Sequence, residues 1–459
     1  MKLKPIITSL LGTDAYKFSM GNVFFLLFNN YRTRWTFKCR SKVHFTKEMV
    51  QEIREQFDYF CSLRFTPEQI NQLRIAQPWL SEGYLNWLRF WHPVREEIVI
   101  QDGNTENPYG DQTDKVHLVP YTDCGLAVEF GEIEPDITSP TGYKMGLGLH
   151  LNTSMYEIAL LQIVSEVYFA FTGEMPLLFE EFKRRTEAKV NGLKDGTYEI
   201  GKFSEFGLRR RLSAESHDWL VGYLKANAPG FVGTSDVELA IKHGVKAVGT
   251  MAHEFVQCVG QGDPRNNPAY SNHFAMKAWT DVYQTRNGIM LSDTIGTDVF
   301  LRDFDLTYAT LFGGPRHDSG NPYVWGEKIL SLYDCYGINI ASKTLLFSNS
   351  LTFANMTDIY RHFINELEPC SGIGGYLATD TYLPGLNIVC KVTECNGSPV
   401  AKLSDDPGKG MCRSEDYVNY LQRTINWRLT NEPWAIKAQF EKRFAERYAK
   451  LTPEQLAVV

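Results

Sequence analysis

A histidine, several arginines and a set of small polar residues stand at the ends of short apolar runs in the second half of this chain. Those are the places where a parallel α/β sheet gathers its chemistry. Gly249-Thr250-Met-Ala-His253-Glu254 follows a run ending near Val248. An imidazole in such a loop serves as nucleophile or general base, because its unperturbed pKa lies near neutrality; a packed histidine with no chemical task carries the same local signature. Arg316-His317-Asp318-Ser319-Gly320 closes another run. Its small residues let backbone N–H groups approach a phosphate, and its guanidinium offers a fork for carboxylate or phosphate. Asp318 can accept from sugar hydroxyls or help hold Mg²⁺ carried by a polyphosphate. An Asp-Ser-Gly turn that only caps the next helix reads equally well.

Ser348-Asn349-Ser350 and Ser371-Gly372-Ile-Gly374-Gly375 repeat the pattern. Glycine-rich loops leading from consecutive strands form a phosphate cradle, although tight turns use the same residues. Phe206-Gly-Leu-Arg209-Arg210-Arg211 concentrates three positive charges, either a clamp for an anionic substrate or a solvated basic helix start. Asp293 and Asp298, in Ser-Asp-Thr-Ile-Gly-Thr-Asp, suit a ribose, a metal or a helix N-cap.

The elements that must position these residues are legible in outline. Six runs, at 230–235, 245–250, 289–293, 311–316, 344–349 and 370–375, end in small or polar residues, and helical patterns follow them. Strands alternating with helices predict a parallel sheet, open or closed into a barrel. Earlier in the chain, Thr36–Arg40 alternates like a half-buried strand. Lys47–Leu63 has helical apolar spacing, and Leu151–Phe171 and Phe179–Val190 are further helix candidates. Residues 101–148, rich in Gly, Asn, Asp, Pro and Thr, read as hairpins or an insertion outside the core, with an alternating patch at Lys115–Val119. Glu432–Lys450 reads as an amphipathic helix.

With 459 residues, 43% hydrophobic and 22% charged, the composition is that of a folded protein of two or three domains. A formal charge of −7 argues against general nucleic-acid coating but says little about one anion pocket. No run of about 18 apolar residues suggests a membrane span, and the opening MKLKPIITSLLGTDAYK makes a poor signal peptide. Nine cysteines without a Cys-x-x-Cys pair suit free thiols in a reducing, cytoplasmic setting.

Taken together, the stretches Leu10–Met20, Phe206–Arg211, Phe231–Ala240, Val248–Glu254, Ser292–Phe304, Arg316–Pro322, Trp325–Leu330 and Pro384–Lys409 resemble a bacterial-type nicotinate phosphoribosyltransferase of the type II phosphoribosyltransferase family. The resemblance covers nearly the whole chain. It implies an irregular TIM-like α/β barrel beside an N-terminal α/β domain completed by C-terminal segments. The division it suggests is 1–150 for the N-terminal domain, with the insertion near 101–148; 151–400 for the barrel; and 401–459 for a segment packing back on the N-terminal domain. It implies a homodimer, and transfer of phosphoribose from phosphoribosyl pyrophosphate (PRPP) to nicotinate in NAD salvage, with Mg²⁺ and with ATP hydrolysis coupled through a phosphohistidine.

Residue by residue, the resemblance makes His253 the phosphorylated group, within the Gly249-Thr250 segment. Tyr16, with Asp14, would enter from a neighbouring subunit and stack on the pyridine. Arg209 and Arg316 would hold the nicotinate carboxylate and nearby phosphate. Ser348, Asn349, Gly372, Gly374 and Gly375 would line the 5′-phosphate pocket. Asp293 and Asp318, with Ser319 and Gly320 beside them, would face ribose and Mg²⁺-pyrophosphate. No protein-built metal site is expected.

The chain departs from the family pattern at Asn321 and Asn349, where Asp is usual, and at Ser371 and Gly375 in a loop commonly reading Phe-Gly-Ile-Gly-Thr. Two other functions share the architecture: a nicotinamide phosphoribosyltransferase, whose neutral substrate would suit an acidic amide-binding group, and a weakened PRPP-binding homologue with a regulatory role.

Overall fold

A computed structural model describes residues 2–102, 124–136, 143–406 and 408–458. Its centre is a parallel sheet whose strands run, in spatial order, Ile289–Leu291, Gly314–His317, Leu346–Phe347, Cys370–Ile373, Lys202–Glu205, Phe231–Thr234 and Lys246–Ala247. All six predicted runs are strands of it. The seventh, Lys202–Glu205, has a single apolar residue, Phe203; it lies between Cys370–Ile373 and Phe231–Thr234, where Ser204 and Glu205 are buried as polar residues. Strand contact is close enough that glycine is required in places. A Cβ on Gly314 would lie 1.9 Å from the Thr344 carbonyl oxygen.

The sheet curls but its two edges do not pair. Instead the Thr250 hydroxyl donates to the Ile289 carbonyl at 2.7 Å, a side chain bridging the two edge strands. This is the irregular barrel that the family resemblance implies.

The second sheet is antiparallel, in the order Ser398–Pro399, Ile388–Cys395, Arg32–Cys39, Leu126–Phe130, Ile98–Asp102, with Gly148–Leu149 pairing onto Arg32–Cys39. Between the sheets runs the helix His150–Thr172, buried over nearly its whole length. Buried on every face, it is mostly apolar, and the charged residues it carries inside, Glu157 and Glu166, are paired with Lys17 and Arg211. Among the described residues no single helix is long and apolar enough to cross a membrane.

Two expectations about domains are corrected. Leu126–Phe130, inside the stretch read as an insertion, is a fully buried strand pairing on both sides. Its Leu-Ala-Val-Glu-Phe is a short, mainly apolar run interrupted by the buried Glu129, which the polar composition around it obscured. The hairpin Ile133–Pro135 with Tyr143–Met145 does match the reading; residues 103–123 and 137–142, with the Lys115–Val119 patch, lie outside the described residues. At the other end, the N-terminal sheet is completed by Ile388–Cys395, ahead of the boundary at 400. The later helices lie against the barrel: Glu415–Asn431 on Pro268–Tyr270, and Lys437–Tyr448 on Pro322–Tyr336. Their anchors are on barrel elements, Arg428 to Asp303 at 2.6 Å and Arg447 to Glu327 at 3.1 Å; Arg413–Glu129 is an ion pair reaching back to the N-terminal sheet.

Candidate active site

At the carboxyl ends of the parallel strands lies a cavity of about 510 Å³. Asp14, Tyr16, Gly249 and His253 line one side, Arg209, Arg316 and Asp318 another, and Ser348, Asn349, Gly372, Gly374 and Gly375 a third. Four other predicted residues stand behind the wall. Thr250 ties the barrel edges, as above. Asp293, Ser319 and Gly320 support groups that reach the cavity.

His253 opens the helix His253–Gln261 and is 5% exposed. Its Nε2 lies 2.9 Å from Asp293 Oδ1 and 3.5 Å from Asp318 Oδ2. A carboxylate there requires Nε2 to carry the proton, so the lone pair sits on Nδ1, which has no protein hydrogen-bond partner among the described residues. Burial, and then the Lys402 ammonium, push His253 down to about 4, so the ring is neutral near neutral pH. Burial alone would raise Asp293, but His253, Lys402 and the hydrogen bonds from His253 and Ser319 hold it well below the carboxylate range. Ser319 Oγ donates to Asp293 Oδ2 at 2.5 Å, and Lys402 Nζ lies 3.2 Å from the same oxygen.

Tyr16 and Asp14 sit in the cavity of their own chain, which corrects the expectation that a neighbouring subunit supplies them. The backbone decides this: Ala15 N–H donates to Ser235 O at 2.8 Å, and Asp14 bridges Asp236. Arg209 Nε then lies 3.5 Å from Asp14 Oδ2, with Glu157 at 3.9 Å. Beneath them Lys17, with a fully buried side chain, pairs with Glu157 at 2.7 Å and Glu254 at 2.6 Å, and Lys391 reaches Glu157 at 3.2 Å. This network joins the His253 helix to the Arg209 loop. That loop also depends on Gly207, whose N–H donates to Glu205 and whose added Cβ would meet the Ala378 Cβ at 2.2 Å.

Several cavity residues went unnoticed in the sequence: Arg40, Gln257, Lys391, Lys402 and Lys409; Arg210, part of the basic run read as an anion clamp, lines it too. The three lysines lie within the Pro384–Lys409 stretch that carried the family resemblance, which was the available signal. Burial, and then Arg209 and Arg40, bring Arg210 down to about 10, the mark of cations crowded without enough anions. Gln257, one helical turn beyond His253, is 1% exposed and both ends of its amide lack a partner among the described residues. Asn349 accepts from Lys409 Nζ at 2.6 Å.

His253, Asp293 and Asp318 together have the donor atoms of a metal site. They do not fit a resident dication, because Lys402 Nζ already stands 3.2 Å from Asp293 and 3.8 Å from Asp318. An ammonium in that position repels a second cation.

Comparison with known proteins agrees with this arrangement. Residues 201–428 match the family model described as the nicotinate phosphoribosyltransferase family, and residues 11–111 match that of its N-terminal domain. A nicotinate phosphoribosyltransferase of Acidovorax sp. (strain JS42) is 36% identical over 92% of this chain and 98% of its own length. One from Bordetella bronchiseptica is 37% identical over 92% and 95%. The crystal structure of nicotinate phosphoribosyltransferase from Porphyromonas gingivalis superposes with a TM-score of 0.79 at 28% identity, covering 92% of this chain and all (100%) of that one. By fold, by sequence and by the grouping of its cavity residues, the chain belongs to the nicotinate phosphoribosyltransferase family.

Proposed function

We propose that this protein transfers phosphoribose from PRPP to nicotinate, releasing nicotinate mononucleotide and pyrophosphate in NAD salvage. The observation that carries the reading is the charge of the cavity: Arg40, Arg209, Arg210, Arg316, Lys391, Lys402 and Lys409 line it against the carboxylates Asp14 and Asp318. Such a surplus suits an anionic base and a polyanionic sugar, and favours nicotinate over the neutral nicotinamide.

Displacement of pyrophosphate at the anomeric carbon develops oxocarbenium character, and the pyridine nitrogen is already nucleophilic. The protein need only align nitrogen and carbon and stabilise the departing charge. Arg209 and Arg316 hold the nicotinate carboxylate and a neighbouring phosphate in this scheme, Tyr16 stacks on the ring, and Ser348, Asn349, Gly372, Gly374 and Gly375 receive the 5′-phosphate. Mg²⁺ arrives with the polyphosphate substrate. ATP phosphorylates His253 at Nδ1, adding about two negative charges that reorganise the site before hydrolysis resets it. Because one chain supplies both Tyr16 and Arg209, a homodimer is not needed to complete the cavity. The free state of all nine cysteines suits a cytoplasmic setting.

The test is product analysis after mixing protein, nicotinate or nicotinamide, PRPP, Mg²⁺ and ATP. Nicotinate mononucleotide is expected. Stoichiometric PRPP binding without turnover would instead identify a regulatory homologue. His253→Ala is expected to abolish stimulation by ATP while leaving some ATP-independent transfer; unchanged coupling would refute its role.

A further inference from the structure

We infer that the segment Thr452–Val458 is a strap that positions the Asp318–Asn321 loop through the Asn321 amide, making Asn321 a positioning residue for the phosphoribosyl substrate. The inference rests on the function proposed above.

The strap is built from groups a short helix leaves unsatisfied. Pro453–Leu456 starts with a reciprocal capping box between Thr452 and Gln455, and the last carbonyls of a helix have no intrahelical partner. Asn321 Nδ2 donates to Gln455 O at 2.7 Å and Val458 O at 2.8 Å, with a longer contact to Leu456 O at 3.4 Å. Its Oδ1 meanwhile accepts from Tyr323 N at 3.0 Å and Val324 N at 3.1 Å, capping the helix Pro322–Tyr336. An amide offers both functions at the two ends of one short side chain, so it can accept from the helix start and donate to the strap together. An aspartate would keep the cap but turn a carboxylate oxygen toward three carbonyl oxygens. The departure from Asp at this position therefore has a physical reason in this chain.

Both ends of the strap are secured. Gln455 Nε2 donates to His362 Nδ1 at 3.0 Å, His362 Nε2 faces Glu327 Oε1 at 2.7 Å, and Arg447 holds the other Glu327 oxygen at 3.1 Å. At the loop, Gly320 takes a φ of +79°, donates its N–H to Asp406 Oδ1 at 2.7 Å, and accepts from His317 Nε2 at 2.9 Å. Ser319 is tied to Asp293. Asp405 N–H also donates to Ser319 Oγ at 3.0 Å, and Asn321 is the anchor on the strap side, three residues from Asp318, whose carboxylate lines the cavity and meets Ser348 Oγ at 2.9 Å. Freeing that anchor lets Asp318 drift from its setting beside His253 and Ser348, and misplacement of about 1 Å at such a group is costly.

The experiment uses full-length protein and initial rates of nicotinate mononucleotide formation. Asn321→Ser keeps a capping oxygen, adds no charge and removes the amide donors. It is expected to raise the KM for PRPP about tenfold, with kcat within about twofold and the KM for nicotinate unchanged. Gln455→Ala, which unfastens the strap at His362, is expected to do the same, and the double variant to match either single one, because both act through one contact. Hydrogen exchange over residues 317–324 is expected to quicken in Gln455→Ala, a reading that needs no turnover. An unchanged KM for PRPP in Asn321→Ser, additive effects in the double variant, or unchanged exchange would each overturn the strap. Failure of the parent protein to make the product would count against the proposed function, and the exchange result would still decide the strap.

Discussion

Lys402 is the residue through which the state of His253 can be tested most directly. The imidazole sits at about 4, against an ordinary value of 6.5, which corresponds to about 3.4 kcal/mol opposing its protonation. Burial is the first cause and Lys402 the second. The ammonium and the imidazole flank one carboxylate, at 3.2 Å and 2.9 Å from its two oxygens. Across that carboxylate they are about 6 Å apart, and two unit charges at that distance interact by about 2.8 kcal/mol at an effective dielectric of ~20, or about two pH units. Lys402→Met is therefore expected to move His253 from about 4 to about 6. Raising the value means that imidazolium, which cannot attack a phosphorus centre, becomes populated as pH falls toward 6. The parent should keep a neutral ring throughout. The assay is titration of the histidine Cε1–H NMR signals, with His253 identified by its loss in His253→Gln. A kinetic companion compares ATP stimulation at about pH 5.5 and about pH 8, where the variant alone should lose stimulation on the acid side. A His253 midpoint near 6.5 in the parent, or one that stays near 4 in Lys402→Met, would refute the reasoning.

Other substitutions probe the walls of the cavity. Arg316→Ala is expected to weaken nicotinate or PRPP binding by about 2–5 kcal/mol, since its Nε is buried without a partner among the described residues; isothermal calorimetry showing under about 0.5 kcal/mol would mark it as a surface group. Gly207→Ala places a methyl 2.2 Å from the Ala378 Cβ and 2.7 Å from Glu205 Oε1, so it should cost about 1–3 kcal/mol of stability by urea unfolding and raise the KM for nicotinate by displacing Arg209. A variant with parent stability and parent KM would show that the loop yields freely there.

What could be read without coordinates was mostly local. Apolar runs ending in small polar residues mark strand ends because backbone pairing and burial of a short segment act over a few residues, and six of the parallel strands were found that way. Lys202–Glu205 escaped because it has one apolar residue and its buried Glu205 is satisfied by partners outside the strand, His217 and Thr234. Leu126–Phe130 escaped because composition averaged over a window hides one short buried strand.

The types of the reactive groups were also written in the chain: an imidazole, a run of guanidinium groups and glycine-bearing loops, in an order specific enough to name a family. Their arrangement was not. That Tyr16 serves its own chain follows from a backbone contact between residues 15 and 235, and that Lys402 rather than a metal neutralises Asp293 follows from a loop more than a hundred residues away. The meaning of Asn321 waited on carbonyls at 455 and 458. Strand periodicity is set by neighbours along the backbone, whereas charge pairing and cavity shape depend on how whole layers pack, and that is decided only when the chain has closed on itself.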